Sequence, residues 1–408
     1  MFKFPGDFYW GAATAAYQVE GANSNSDWWE WEIRAGLKDR SGQACRHYDL
    51  YNQDFDLAKQ LHHNAHRLSI EWSRVEPEEG KFSETGLAHY RDVILALKER
   101  GIEPIVTLHH FTNPIWFARR GGWLDRSSPK YFLRYVGKVI RSLGDLVRFW
   151  VTINEPMVYV YHSFYLGDWP PQEKSLFKAR AAALSLVRAH IRAYHLIHDV
   201  YRRENLPAPY VSVAHNVQAF VACNAAPRSM AAAYIRDRWF NFGFLKRLIR
   251  SKSLDFIGIN YYTRSLVEPA NWGLRSMLID TSSRSTLKKN SMGWDIFPEG
   301  LYELLVRIKI YRLPVFILEN GICTGDDALR WEFIRGHLKC LAQAMGQGVK
   351  VLGYIYWSLL DNFEWDKGFA PRFGLIEVDY GNYERKIRES AVKLSQVSAN
   401  GILEDEVN

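Results

Sequence analysis

The feature that most limits what this chain can fold into is a repeat of layout. Eight short apolar, strand-like runs recur along it: Phe8–Ala13, Ala65–Ile70, Pro104–Leu108, Val147–Ile153, Tyr210–Ala214, Leu254–Ile259, Val315–Leu318 and Val351–Tyr356. Helical patterns lie between most of them, at Asn52–Leu61, Gly86–Arg100, Tyr131–Leu143, Ala181–Arg203, Met230–Ile249, Pro298–Tyr311 and Trp331–Met345. Alternating apolar strands and amphipathic helices predict a mainly parallel sheet covered by helices. Eight such units without a composition shift favour a closed (β/α)8 barrel over a doubly wound sheet. No glycine-rich phosphate-binding turn follows the first strand. A length of 408 residues suits one such barrel with long loops, so a single domain over residues 1–408 is expected.

Hydrogen-bonding residues follow each strand: Gln18 and Glu20, Arg67 and Glu71, His109 and His110, Asn154 and Glu155, His215 and Asn216, Asn260 and Tyr262, Glu319 and Asn320, Trp357 and Glu364. One strand must end in something polar. Eight ending in amides, histidines and carboxylates resemble the C-terminal rim of a barrel, where catalytic groups come from several strands.

Composition removes other classes. The net charge of +7, from 52 basic and 45 acidic residues, contains no block of like charge, so nucleic acid is not an expected partner. No run of 18 apolar residues predicts a membrane span, and Met1-Phe-Lys-Phe-Pro5 lacks the apolar core of a secretion signal. Cys45, Cys223, Cys323 and Cys340 have no close pairing and no metal-ligand spacing, which predicts free thiols and a cytoplasmic location. His62, His63 and His66 cluster near the second strand and are expected to be packing or surface residues; no metal and no cofactor is expected. Glu71, Glu76, Glu78 and Glu79 read as a solvated face, and Asp361 and Asn362 as buttresses of the loop carrying Glu364. Aromatic residues make up 14% of the chain. Most belong to a large core, but sugar rings stack their C–H faces on aromatic planes, so the surplus favours a carbohydrate ligand.

Thr152-Ile-Asn-Glu-Pro156 and Ile317-Leu-Glu-Asn-Gly321 each place a glutamate directly after an apolar strand. On the fourth and seventh strands of a barrel the two can face one another. Glycoside cleavage needs such a pair. One carboxyl protonates the leaving oxygen, and the other attacks or stabilises the oxocarbenium-like centre. The two must hold different protonation states, so one needs a cationic or hydrogen-bonding neighbour and the other a drier pocket. Arg67 and Tyr262 are candidates to hold the ionised member. Against that stand a structural ion pair for Arg67 and plain core packing for Tyr262.

The chain resembles glycoside hydrolase family 1, the β-glucosidase family of (β/α)8 TIM barrels. The resemblance runs in order through Phe4-Pro-Gly-Asp-Phe-Tyr-Trp-Gly-Ala-Ala-Thr-Ala-Ala-Tyr-Gln-Val-Glu-Gly21, Arg67-Leu-Ser-Ile-Glu-Trp-Ser-Arg74, Leu108-His-His110, Thr152-Ile-Asn-Glu-Pro156, Asn260-Tyr-Tyr-Thr263, Leu318-Glu-Asn-Gly321 and Trp357-Ser-Leu-Leu-Asp-Asn-Phe-Glu-Trp365. It implies a retaining, double-displacement β-glycosidase with Glu319 as nucleophile and Glu155 as acid/base. By the same resemblance Arg67, Asn260 and Tyr262 position and charge-stabilise Glu319. Asn154 holds the sugar 2-hydroxyl, while Gln18, His110, Glu364 and Trp365 take the other hydroxyls. Trp357 is the floor under the ring, and Trp294 is an aglycone platform. The expected ligand is a non-phosphorylated, terminal non-reducing β-D-glucoside, galactoside or fucoside, or a short oligosaccharide. Members acting on 6-phosphorylated sugars typically replace the Glu364–Trp365 pair to make room for phosphate, and an anionic Glu364 would repel one. The resemblance does not fix the oligomeric state. Transfer to an acceptor alcohol uses the same residues, and a non-catalytic sugar-binding barrel would be expected to lack one glutamate. Two departures stand out. Phe111 occupies a position where tryptophan is usual, which removes an indole N–H donor. Phe240–Asp255 is short, which suggests a trimmed loop over the active site and an open aglycone side.

Overall fold

The computed structural model describes residues 1–404. Its centre is a closed parallel barrel of eight strands in sequence order. They are β1 (Tyr9–Ala13), β2 (Ala65–Ser69), β3 (Glu103–Thr107), β4 (Phe149–Asn154), β5 (Tyr210–Ala222), β6 (Ile257–Val267), β7 (Val315–Asn320) and β8 (Val351–Trp357). The barrel closes where β1 pairs with β8, from Tyr9 opposite Gly353 to Ala13 opposite Trp357. All eight expected strands are present, and the glutamate-bearing strands are the fourth and seventh.

The barrel interior is packed rather than hollow. Tyr9, Phe149 and Phe316 meet in its lower half with ring centroids 5.3–5.9 Å apart. Side chains of this kind fill the barrel axis and leave only the C-terminal end open. The surrounding helices form for ordinary reasons. The helix Ser128–Leu143 buries Phe132, Tyr135, Val136, Val139, Ile140 and Leu143 on one stripe. The helix Glu84–Glu99 starts at Ser83, whose Oγ accepts the Gly86 amide at 3.0 Å. Antiparallel pairing of Phe2–Lys3 with Ile402–Leu403 joins the two ends of the described chain.

Three expectations change. The Met230–Ile249 pattern is not one helix but Pro227–Arg236, a π-helical turn at Asp237–Asn241, and Gly243–Arg250. The break has a cause. The Asn241 side chain bonds the backbone N and O of Gln218 at 3.0 and 2.8 Å, and His215 Nε2 bonds the Asn241 carbonyl at 2.9 Å. Those tertiary bonds displace the regular helical ladder. Second, β5 and β6 run past the rim, paired from Ala219 opposite Arg264 to Ala222 opposite Val267 beyond an irregularity at Val217. Third, Glu71 and Glu76 are not a solvated face. Both are buried. Glu71 accepts bonds from Ser73 and Thr112, and Glu76 from Trp72 Nε1 and the Gly80 amide, with Arg134 as its ion-pair partner. Alternation with polar neighbours hid this, because a carboxylate with a full set of donors can be buried. Glu78 and Glu79 are exposed.

His66 is buried on β2 with its Nε2 3.1 Å from Thr14 Oγ1, His63 is buried, and His62 lies at the surface. Among the described residues no group of three or more His, Cys, Asp or Glu is arranged to hold a metal ion, and no helix is long and apolar enough to cross a membrane. The four cysteines are unpaired.

Gly321, just past β7, passes so close to β8 that a Cβ there would lie 1.8 Å from the Trp357 carbonyl oxygen. Gly321→Ala must therefore push the two strand ends apart. A loss of about 1–3 kcal/mol is expected in denaturant unfolding, the scale of an overpacked core. An unchanged midpoint would mean the two ends separate freely.

Candidate active site

Arg67 is the hub of the barrel's C-terminal end. It is 1% exposed on β2, and its Nε donates to Thr107 Oγ1 at 3.0 Å, which fixes the guanidinium plane. One arm forms a close ion pair with Glu319, and the other donates to Asn154 Oδ1 at 2.6 Å. Tyr262, on β6, donates its hydroxyl to the second oxygen of Glu319. Both oxygens of Glu319 are thus held by donors, one of them cationic. Arg67 is thus an ion-pair partner of Glu319, and Tyr262 adds a hydrogen bond to its packing.

Glu155 is held differently. It sits one residue past β4 with φ of 41°, a left-handed conformation uncommon for glutamate, and its amide donates to the Ala214 carbonyl at 2.7 Å. Pro156 then opens a short helix at its preferred first position. The Glu155 carboxyl meets amides rather than a cation. Asn260 Nδ2 lies 2.8 Å and Asn216 Nδ2 3.0 Å from Oε1. Asn260 was expected to hold Glu319. Its direct bonds instead go to Glu155 and, at 3.2 Å, to Asn154 Oδ1, although its amide still favours the charged form of Glu319.

These surroundings separate the two carboxyls. Burial, and then the charge of Glu319, push Glu155 up to about 8, against the pull of Asn260, Asn216 and Arg67. Burial raises Glu319 as well, but the Arg67 charge and the Tyr262 hydrogen bond oppose it. Glu319 is therefore the first to ionise, and its charge keeps the proton on Glu155.

The remaining predicted residues gather round this pair. Asn154 Nδ2 lies 3.1 Å from His110 Nε2. Gln18 Nε2 reaches Asn362 Oδ1 and the Phe363 carbonyl at 2.9 Å, and Glu364 Oε2 at 3.2 Å. Burial, with the charges of Glu319 and Glu155, pushes Glu364 up to about 8. Asp361 is held by Arg388 at 2.8 Å, and Asn362 donates to Ser358 Oγ at 2.9 Å, so this pair does buttress the loop. Trp357 and Trp365 lie nearly parallel to the His110 ring, each with centroids 6.0 Å apart. Trp294 packs 5.9 Å from Tyr262.

A cavity of about 850 Å³ connects these side chains. Gln18, His110, Asn154, Glu155, Tyr262, Trp294, Glu319, Trp357, Glu364 and Trp365 line it, while Arg67 and Asn260 stand one layer behind. Four buried atoms around it, Gln18 Oε1, His110 Nδ1, Asn216 Oδ1 and Asn260 Oδ1, have no hydrogen-bond partner. Phe111 presents its ring to this cavity with φ of 70°, packed edge-on to Trp365 at 5.1 Å.

Phe240–Asp255 places no loop over the cavity. Helix Gly243–Arg250 occupies most of that stretch and buries Phe244, Leu245 and Leu248, and none of the stretch lines the cavity. The outer walls come from Thr263–Leu266, Lys289, Ser291–Asp295 and Phe373 on one side and His162, Asp168 and Trp169 on the other. The sequence reading left Asn216 out of the candidate site. Its position after a strand was the available signal, but nothing in sequence showed that its amide meets Glu155.

Residues 1–250 and 245–401 match the sequence profile of glycosyl hydrolase family 1. The chain belongs to that family. It is similar to a beta-glycosidase from Pyrococcus horikoshii, with a TM-score of 0.93 and 40% identity over 99% of this chain and 96% of the other. A beta-glucosidase from Thermotoga maritima in complex with glucoimidazole superposes with a TM-score of 0.91 and 30% identity, covering 99% of this chain and 100% of the other. A 1,4-beta-D-glucan glucohydrolase from Thermotoga neapolitana is 31% identical over 453 residues, which span 99% of this chain and 100% of the relative.

The electrostatic coupling can be measured directly. Carbon NMR of labelled glutamate should give Glu155 an apparent pKa of about 8. Replacing Glu319 by Gln removes the neighbouring negative charge and should lower that value. A Glu155 titration indifferent to residue 319 would contradict the coupling.

Proposed function

We propose that the protein is a retaining β-glycosidase acting on terminal non-reducing β-glucosides and related β-glycosides. The observation that carries this reading is the unequal treatment of two glutamates at one cavity: Glu319 is clamped by Arg67 and Tyr262, while Glu155 meets only neutral amides. Family membership supports the same chemistry.

In the first step a carboxylate oxygen of Glu319 attacks C1 of the sugar. The Glu155 proton passes to the glycosidic oxygen as the C1–O bond breaks, and the aglycone leaves as an alcohol. Glu155 is then a carboxylate. In the second step it takes a proton from water, whose oxygen attacks C1, and the ester electrons return to Glu319. Two inversions give net retention. Once Glu319 is esterified its charge is gone, so the force that held the proton on Glu155 falls when Glu155 must act as a base.

Arg67 and Asn260 act from behind the cavity as positioning residues. Asn154, bridged to both Arg67 and His110, is the group for the 2-hydroxyl. Gln18, His110, Glu364 and Trp365 meet the other hydroxyls, Trp357 lies under the ring, and Trp294 stands where the aglycone leaves. At the sugar end Glu364 offers carboxyl oxygens rather than the cation a phosphate needs, which favours non-phosphorylated sugars. Phe111 brings no donor to its wall, so a hydroxyl facing it is read by shape alone. Four unpaired cysteines suit a reducing, cytoplasmic location.

A nitrophenyl β-glucoside tests the roles. Glu319→Ala should reduce hydrolysis to background, with azide or formate partly restoring turnover. Glu155→Gln should slow poor leaving groups by about 10²–10⁴-fold, the usual worth of general acid catalysis, and good leaving groups far less. Full activity in either variant, or a first product of inverted anomeric configuration, would refute the assignment.

A further inference from the structure

Asn216 and Asn260 both donate to one oxygen of Glu155. Asn216 reaches Oε1 from β5 at 3.0 Å, and Asn260 reaches the same atom from β6 at 2.8 Å. Oε2 makes no hydrogen bond among the described residues and is open to the cavity. Neither amide is loose. Asn260 is fully buried, and Asn216 lies between His215 and Gln218. His215 is tied to the Asn241 carbonyl at 2.9 Å, and the Gln218 amide to Asn241 Oδ1 at 3.0 Å.

A neutral carboxyl carries its proton on one oxygen only. An oxygen that receives amide N–H bonds must serve as the acceptor, so the proton resides on the other. We propose that Asn216 is a positioning residue for Glu155: with Asn260 it holds Oε1 as an acceptor and confines the transferable proton to Oε2, the oxygen facing the cavity. The inference rests on the acid/base role of Glu155. In the glycosylation step the Oε2–H bond breaks, its electrons remain on Glu155, and the proton goes to the departing glycosidic oxygen. The amide then stabilises the carboxylate that remains.

The other titratable or charged groups facing Glu155 are Glu319 on β7, Arg67 on β2, Tyr262 on β6 and Glu364 after β8. Asn216 meets the carboxyl from β5. Losing it removes one of the two donors that favour the charged form and, with Asn260 alone remaining, weakens the preference for the proton on Oε2. A purely structural asparagine would have neither effect.

Two substitutions separate these cases. Asn216→Leu keeps the volume and removes the donor. Asn216→Asp keeps the shape but places an acceptor beside Oε1, which draws the proton to the wrong oxygen. For aryl β-glucosides with weakly acidic leaving groups, kcat/KM should fall about tenfold in Asn216→Leu, the scale of one hydrogen bond. It should fall further in Asn216→Asp. A dinitrophenyl β-glucoside needs no proton, so its kcat/KM should fall far less than that of the weakly acidic leaving groups, and thermal unfolding reports whether the variant is folded. The basic limb of the pH profile should move to higher pH in both variants. Equal losses on both substrates, or a basic limb that stays in place, would overturn the proposal. If Asn216→Leu does not fold, the isosteric Asn216→Asp decides alone by the same two readings. A Glu155→Gln variant without leaving-group dependence would sink the acid/base reading itself. A leaving-group-dependent Glu155→Gln beside a flat Asn216 series would sink only this inference.

Discussion

The buried ion pair between Arg67 and Glu319 is the interaction on which the rest of the site depends. Two charges at 1% and 3% exposure are expensive to bury, and a good geometry is required to offset that cost. The geometry comes from the barrel. Arg67 lies on β2, its plane is set by Thr107 on β3, and its second arm is taken by Asn154 on β4. Removing the guanidinium would leave a lone buried carboxylate, a change that costs about 3–5 kcal/mol in comparable pairs. The same pair sets the chemistry. A carboxylate kept charged beside a second buried carboxyl favours the proton on its neighbour, so in the proposed mechanism one ion pair sets both the nucleophile and the acid.

The barrel supplies the rigidity this needs. Arg67, Asn154, Glu155, Asn260, Tyr262, Glu319 and Trp357 sit on barrel strands or at their ends, whereas Gln18, Trp294, Glu364 and Trp365 come from the segments beyond them. The left-handed backbone at Glu155 and Phe111 is held from both sides. The Glu155 amide is locked to Ala214, while Thr112 bonds Glu71 and Asn113 is bonded by Asp27. Strain of this kind persists only where the surroundings over-determine it. The buried Glu71, just past β2, accepts from Thr112 and so helps to fix the turn that carries His110 and Phe111.

Much of this was legible in the sequence because strand period and strand end are local properties. The eight runs needed only apolar stretches and punctuation, and the motif residues mark their own positions. What could not be read is tertiary. The Met230–Ile249 helix breaks because Asn241 bonds a distant strand. Glu71 and Glu76 are buried because donors from other elements meet them. Asn260 donates to Glu155 as well as favouring the charge on Glu319, a sharing set by which strand ends face one another across the barrel. Asn216 has no local signature separating it from any polar residue after a strand. The helical pattern that runs to Ile249 is legible in the helix Gly243–Arg250, whereas the walls of the cavity come from segments whose placement is tertiary.

The central claim is that Glu319, held charged by Arg67 and Tyr262, becomes covalently attached to the sugar. Incubation with a β-glucosyl fluoride bearing a second fluorine at C2 slows both steps, while the good leaving group keeps the first faster than the second. Mass spectrometry of the digested protein should then find one fluoroglucosyl group, on the peptide containing Glu319. A label on the Glu155 peptide, or rapid turnover with no label on any peptide, would contradict the account.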